Sequence, residues 1–265
     1  MTKIILITGA TDGLGRATAQ ALAELGHSLI IHGRNADKLA ATAEALRATG
    51  AKIVTAQADL SDLVQVAEMA RKVVDAEPRL DVLINNAGVL KVGDPLTADG
   101  QDLRFVVNTF APALLTSLLL PIMPTNGRLV HLSSAAQAPV DLDALSGRRR
   151  LEAMEAYAQS KLALTIWSQA FAAEHPEGPV SVAVNPGSLL ATNMVREGFG
   201  MVGNDINIGV NILTRAALSD EFATASGRYY DNDARQFSKP HHQATAPDEV
   251  RTIVKAIRER ISAQL

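Results

Sequence analysis

Apolar positions along the chain fall into two alternating patterns. Short unbroken runs come first: Ile4–Ile7 (IILI), residues 28–31 (SLII), 52–56 (KIVTA), 80–84 (LDVLI), 127–132 (GRLVHL) and 180–184 (VSVAV). Runs of this length, bounded by glycine or polar residues, predict strands buried on both faces. Stretches with helical spacing fill the intervals. Residues 13–25 stop at Gly26, and residues 36–49 open with Asn35 as N-cap and close at Gly50. Ser61 is placed to cap a helix running to about Glu77, and further helices are predicted over 101–120 and Ala153–Glu174.

Strands joined through helices need crossover connections, which means a parallel sheet with helices on both faces. No Pro/Ser-rich linker, composition break or fixed-period repeat divides the 265 residues, so the pattern predicts one doubly wound α/β domain. Two segments depart from the alternation. Residues 135–152 read as an insertion. Residues 188–225 show little periodicity apart from a helical stretch at Asn207–Leu218. Following the carboxyl end of a strand, that segment is expected over the ligand crevice as a substrate lid; an ordinary surface loop with one helix is the competing reading.

Composition narrows the function classes. With 47% hydrophobic and 20% charged residues the chain can bury a large core, which excludes disorder. Aromatics are only 4%, so aliphatic packing must fill that core. A balance of 25 basic to 28 acidic residues, net −3, gives no footprint for nucleic acid or an anionic membrane. The absence of cysteine excludes disulfides, thiolate nucleophiles and Cys-ligated metals. The apolar run at the start is too short for a signal-peptide core or a membrane span. The expectation is a soluble cytoplasmic protein.

Between the first strand and first helix lies Thr8–Gly15, TGATDGLG. Gly9, Gly13 and Gly15 allow a tight turn and close approach to a pyrophosphate, with Asp12 and Leu14 in the same turn. The helix N-terminus beyond it supplies free N–H groups and a positive dipole end. Opening a βαβ unit, the loop points to dinucleotide binding on a Rossmann-type sheet.

The spacing G-x-x-x-G-x-G resembles the cofactor loop of the short-chain dehydrogenase/reductase family, and later motifs agree in order. Asp59-Leu60 resembles its adenine-contacting pair, and Asn85-Asn86-Ala87-Gly88 its NNAG motif. Ser134, Tyr157 and Lys161 resemble its catalytic residues, and Pro186-Gly187 its PG motif. The gap after the serine, with Ser226-Gly227-Arg228-Tyr229-Tyr230 near the end, is most similar to the retinol-dehydrogenase-type branch. The resemblance is close over residues 1 to about 192 and looser beyond. It implies an oxidoreductase moving hydride between nicotinamide and a carbonyl/alcohol pair, with a homo-oligomer expected. The family often pairs through its catalytic helix, so an insertion packed there would give a monomer instead.

Tyr157 and Lys161 stand four apart on a predicted helix, hence on one face. A free phenol has a pKa near 10. A neighbouring ammonium is expected to lower it toward useful acid–base range. The resemblance adds that Ser134 donates to the substrate carbonyl and that Lys161 also holds the nicotinamide ribose. Ser133 is the fallback for Ser134. Asn108 precedes Pro112 by four, so its carbonyl has no helical partner, and the family uses such an asparagine in a proton relay through water. Leu189, Leu190 and Met194 suggest an apolar wall for a small carbonyl or alcohol substrate.

The coenzyme expected is NADP rather than NAD. The second strand ends His32-Gly33-Arg34, about 20 residues after the glycine loop, where an NAD site usually carries a carboxylate. Gly33 leaves space and Arg34 can pair with a 2′-phosphate; Asp12 argues the other way unless it points to solvent. No residue cluster suggests a catalytic metal. His241-His242, the run 148–150 and Trp167 read as loop, solvated face and core, and His32 and His131 as satisfied structural histidines. A sensor or scaffold that kept only the cofactor site, and a reductase of carbon–carbon double bonds, are the alternatives.

Overall fold

The computed structural model describes residues 2–200 and 202–265. Eight strands form one sheet in the order β3-β2-β1-β4-β5-β6-β7-β8. These are β1 (Ile4–Ile7), β2 (Ser28–Gly33), β3 (Ile53–Gln57), β4 (Val82–Asn85), β5 (Arg128–Leu132), β6 (Val180–Asn185), β7 (Tyr229–Asp231) and β8 (Gln236–Ser238). Neighbours from β3 through β7 are parallel, and β8 runs antiparallel to β7. The last two strands were not marked by an apolar run: each has three residues, and β8 is partly exposed.

The strand order reverses between β1 and β4, which opens a crevice at their carboxyl ends. Side chains of one strand leave on alternate faces. Ile5 and Ile7 therefore pack beneath α1 (Gly13–Glu24), α2 (Ala36–Arg47) and α9 (Asn207–Leu218). Leu6 goes into the opposite layer with α3 (Leu63–Ala76), α5 (Ala111–Leu119), α7 (Ala153–Glu174) and α10 (Pro247–Ile261). α9 is thus a sheet-packed layer helix, with Ile212, Leu213, Ala216 and Ala217 buried. From the aperiodic stretch, Thr192 and Met194 reach the crevice, beside Gly13 and Gly88.

Two local expectations are corrected. Asp62, not Ser61, caps α3: its Oδ1 accepts from the Val64 N–H at 2.9 Å. Ser61 donates its hydroxyl to Asp59 instead, at 2.7 Å. The single helix expected over 101–120 is broken into α4 (Leu103–Phe105), a π-helical turn at Val106–Phe110, and α5. Pro112 explains the break, because it has no N–H for Asn108 and the ladder must step wider around it.

In the insertion, residues 135–152, α6 (Leu142–Leu145) is the only helix. Arg148 and Arg149 pair with Asp143 and Asp141, each at 2.6 Å, on a solvated face. Val140 and Gln243 exchange hydrogen bonds at 2.6 and 3.3 Å, tying the insertion to the segment before α10. Trp167 is core, edge-on to His131 and stacked with Phe171. Leu103–Ile122 is long and apolar enough to cross a membrane, but it is largely buried inside the fold, as a core helix is.

Candidate active site

The glycine loop is shaped by what surrounds it. Gly9 and Gly13 have φ of +65° and +49°, a region other residues enter only with strain. A Cβ on Gly15 would lie 2.2 Å from the Gly9 carbonyl and 2.3 Å from Asn86 Nδ2. Asn86 Nδ2 donates to the carbonyls of Thr8 and Gly9 at 2.8 and 3.2 Å, and the Ala87 N–H donates to Thr8 Oγ1 at 3.0 Å. The Asn85–Gly88 turn therefore clasps the glycine loop across the crevice. Asp12 is exposed but engaged: it caps α1 by accepting the Gly13 N–H at 2.7 Å and receives Asn193 Nδ2 on its other oxygen. Leu14 packs inward against α9 at Gly209. A loop this free of side chains, at a helix N-terminus, fits the pyrophosphate of a dinucleotide.

At the end of β2, a Cβ on Gly33 would stand 2.5 Å from the Thr11 methyl, so Thr11 already covers the place of an acidic side chain. Arg34, Asn35, Gln57, Asp59 and Lys72 line an adjoining cavity of about 550 Å³. Lys72 and Thr11 were missed by the sequence reading, since nothing in the linear pattern joins them to Arg34. Leu60 is buried in the core, leaving only its main chain for a ligand.

The second half of the site gathers around Gly88. A Cβ there would meet Asn108 Oδ1 and Lys161 Nζ at 3.3 Å each and the Met194 methyl at 3.9 Å. Asn108 is fully buried and fixed: Oδ1 accepts the Val89 N–H at 2.8 Å, while Nδ2 donates to the Val89 carbonyl and Ser160 Oγ at 3.0 Å each. Lys161 donates to the Leu132 carbonyl at 2.7 Å and lies 5.6 Å from the Tyr157 ring centre. Ser134 Oγ accepts the Ala136 N–H at 3.0 Å, which leaves its own proton to give away. Ser133 is turned inward onto Thr165 at 2.6 Å, so the fallback serine is excluded by its orientation.

The expectation that Lys161 lowers the Tyr157 pKa is corrected. Burial raises the phenol, and the effect acting the other way is its hydrogen bond with Ser134. Burial also brings Lys161 down to about 8. Both shifts follow from placing ionisable groups in an apolar helix–sheet interface.

Over the crevice, Gly187 has φ +120° and Leu189 is left-handed at φ +52°, a strained conformation for a branched residue. Leu190 does not line a pocket: it is 5% exposed and packs with Leu14 about Gly209. Met194 is on α8 (Asn193–Phe199), whose N-cap Thr192 reaches within 3.4 Å of a Cβ position on Gly13. Pro186 offers its carbonyl to Asn232 Nδ2 at 2.9 Å. His131 has one buried nitrogen with no partner, unlike the fully bonded His32.

A glycine cradle at the sheet's switch point, with a Tyr–Lys helix on the next wall, defines an oxidoreductase built on a dinucleotide fold. The chain belongs to the short-chain dehydrogenase family, whose model matches residues 3–201. Human retinol dehydrogenase 13 is 30% identical over 251 residues, covering 86% of this chain and 76% of that protein. A Streptomyces protein named as a daunorubicin C-13 ketoreductase, DnrU, is 36% identical over 191 residues, 71% of this chain and 66% of that one. Among solved structures, an Escherichia coli short-chain dehydrogenase in complex with NADPH aligns with a TM-score of 0.72 at 29% identity, over 87% of this chain and 96% of that one.

Proposed function

We propose that the protein is an NADP(H)-dependent enzyme interconverting a small apolar ketone or aldehyde with its alcohol. The observation that carries this reading is the meeting of Lys161 Nζ and Asn108 Oδ1 at Gly88, with the Tyr157 ring centre 5.6 Å from that ammonium and the glycine cradle alongside. Ser134 Oγ accepts the Ala136 N–H, which leaves its own proton to donate, and Tyr157 carries a second hydroxyl. That is an arrangement for gripping a carbonyl oxygen with two O–H donors.

Bound in the cradle, a nicotinamide cofactor supplies the hydride donor or acceptor. Ser134 then polarises the substrate carbonyl, and Tyr157 delivers its phenolic proton to the oxygen as the alcohol forms, or removes it in the reverse direction. Lys161, within reach of the Gly88 backbone, is placed to hold the ribose and to replenish the proton on Tyr157. Asn108 holds the Val89 turn, and water on its main-chain carbonyl would complete the relay from Lys161 to solvent. The preference for NADP rests on Arg34 and Lys72 beside Gly33, where Thr11 fills the place that an acidic side chain would take.

The reading is tested by following NADPH and NADH consumption against a panel of aldehydes, ketones and enones, with Tyr157→Phe in parallel. Turnover of carbonyls that the Phe variant loses, at unchanged coenzyme affinity, is expected. Turnover confined to enones, or retained by the variant, would reject it.

A further inference from the structure

Ser226-Gly227-Arg228-Tyr229-Tyr230 stands outside all of the chemistry above. In the fold it leads into β7, and the two tyrosines face opposite ways. Tyr230 enters the core between Phe222 and Phe237. Tyr229 is 4% exposed, and its hydroxyl donates to the main-chain carbonyl of Ser134 at 3.0 Å.

That carbonyl receives a second donor, Gln137 Nε2 at 3.1 Å, and Gln137 is itself held through Oε1 by the His241 N–H at 3.0 Å. With Ala136 on the hydroxyl oxygen, the whole Ser134 residue is fixed from three sides. β7 has only three residues, so its ladder alone holds it weakly. The turn beyond it is anchored instead by side chains: Asp233 accepts the Ser188 N–H and Asn185 Nδ2, both at 2.9 Å, and Asn185 Nδ2 also reaches Asp231 at 2.8 Å. Burial and these two carboxylates push the Tyr229 phenol up, so it stays a donor throughout the working pH range.

We infer that Tyr229 is a positioning residue for catalysis: mounted on the β7–β8 hairpin, it sets the position from which Ser134 presents its hydroxyl to Tyr157 and to the substrate carbonyl. The inference rests on the role proposed for Ser134. Sub-ångström placement matters there, since a misplacement of about 1 Å can cost on the order of 10²-fold in rate.

The experiment compares Tyr229→Phe with Tyr230→Phe as a control of equal chemistry on the opposite face. Tyr229→Phe is expected to lower kcat about tenfold while the NADPH Kd stays within twofold and Tm within a few degrees. It should also move the alkaline limb of the reduction rate upward in pH, because Ser134 holds the Tyr157 pKa down and a loosened serine holds it less. Tyr230→Phe should do neither. Amide hydrogen exchange at Ala136 should quicken in Tyr229→Phe alone. That readout needs no substrate, so it stands even where the wild-type protein turns over no carbonyl and the functional reading fails. If Tyr229→Phe does not fold, Gln137→Ala tests the same carbonyl and should show a smaller loss of kcat. Rates, pH profile and exchange indistinguishable from Tyr230→Phe, or from wild type for Gln137→Ala, would overturn the assignment.

Discussion

His32 holds Gly9 in place: its Nδ1 accepts the Gly9 N–H at 3.1 Å, while Nε2 meets the Ala58 carbonyl at 3.1 Å. These partners require the neutral tautomer with its proton on Nε2. One buried imidazole thus ties the glycine loop to the chain leaving β3.

Protonating that ring would turn a second N–H against the Gly9 N–H. Burial lowers the His32 pKa, with the Ala58 carbonyl and Asp59 acting the other way, and burial takes His131 down to about 3. Both folded values lie below the unfolded one near 6.5, so the unfolded chain takes up these protons first as pH falls. The stability they contribute is present above about pH 6.5 and lost progressively toward pH 3. Urea midpoints measured from pH 7.5 to 4.5 should fall, and His131→Leu should flatten the slope although it lowers the midpoint itself. A pH-independent midpoint would reject this account.

Gly33 and Arg34 are expected to set coenzyme choice. Gly33→Asp forces a side chain into the Thr11 methyl and brings a carboxylate beside the 2′-phosphate position. Arg34→Ala removes a charge-assisted contact of the kind worth about 1.5–3 kcal/mol. Both variants should weaken NADPH at least tenfold in fluorescence titrations. Arg34→Ala should leave NADH within twofold; equal losses for the two coenzymes would count against the assignment.

Lys161 is held charged at a cost. Its folded value, about 8, lies below the ordinary 10.5, so a proton leaves the folded protein before the unfolded one as pH rises. The penalty is fully present below pH 8, on the order of 3 kcal/mol at 1.36 kcal/mol per unit, and is relieved between pH 8 and 10.5. Lys161→Met, without coenzyme, should therefore raise Tm at pH 7 and lose that advantage by pH 10, while abolishing turnover. A Tm lowered at pH 7 would show that the Leu132 hydrogen bond outweighs desolvation.

α10 and the insertion cover α7, whose residues 158–168 are all buried within one chain. The middle of that helix is covered and its exposed residues, such as Met154, lie toward its ends, so a monomer is expected rather than a homo-oligomer paired through this helix. Light scattering should give about the 28.1 kDa of one chain. A stable dimer or tetramer would show that pairing uses another face.

The strands β1, β2, β4, β5 and β6 were legible because each is buried on both sides, which writes an unbroken apolar run into the chain; the edge strand β3 exposes Thr55 and Gln57 and shows a weaker run. β7 and β8 were not, being too short and too mixed. The glycine loop was marked by its spacing and its place between strand and helix, Tyr157 and Lys161 by the resemblance of their motif, and Pro112 announced the disturbance at Asn108. Other contributors to the site are joined only by folding: Thr11 lies over Gly33, Thr192 over Gly13, and Tyr229 behind Ser134, 95 residues away in sequence. Leu190 misled for the opposite reason, since an apolar residue beside a crevice looks the same whether it faces the ligand or the core.

The packing of α10 also has a consequence for the order in which the protein comes into being. Ile253, Val254, Ile257 and Ile261 complete the same core that buries α7 and α5, and Gln264 is bonded back to Arg71 on α3. During synthesis the glycine cradle, made within the first 90 residues, can assemble while the ribosome is still at work. The helix bearing Tyr157 and Lys161 keeps an uncovered apolar flank until α10 emerges. Such long-range closure is slow, and the interval before it is when an exposed flank is open to chaperones or to aggregation.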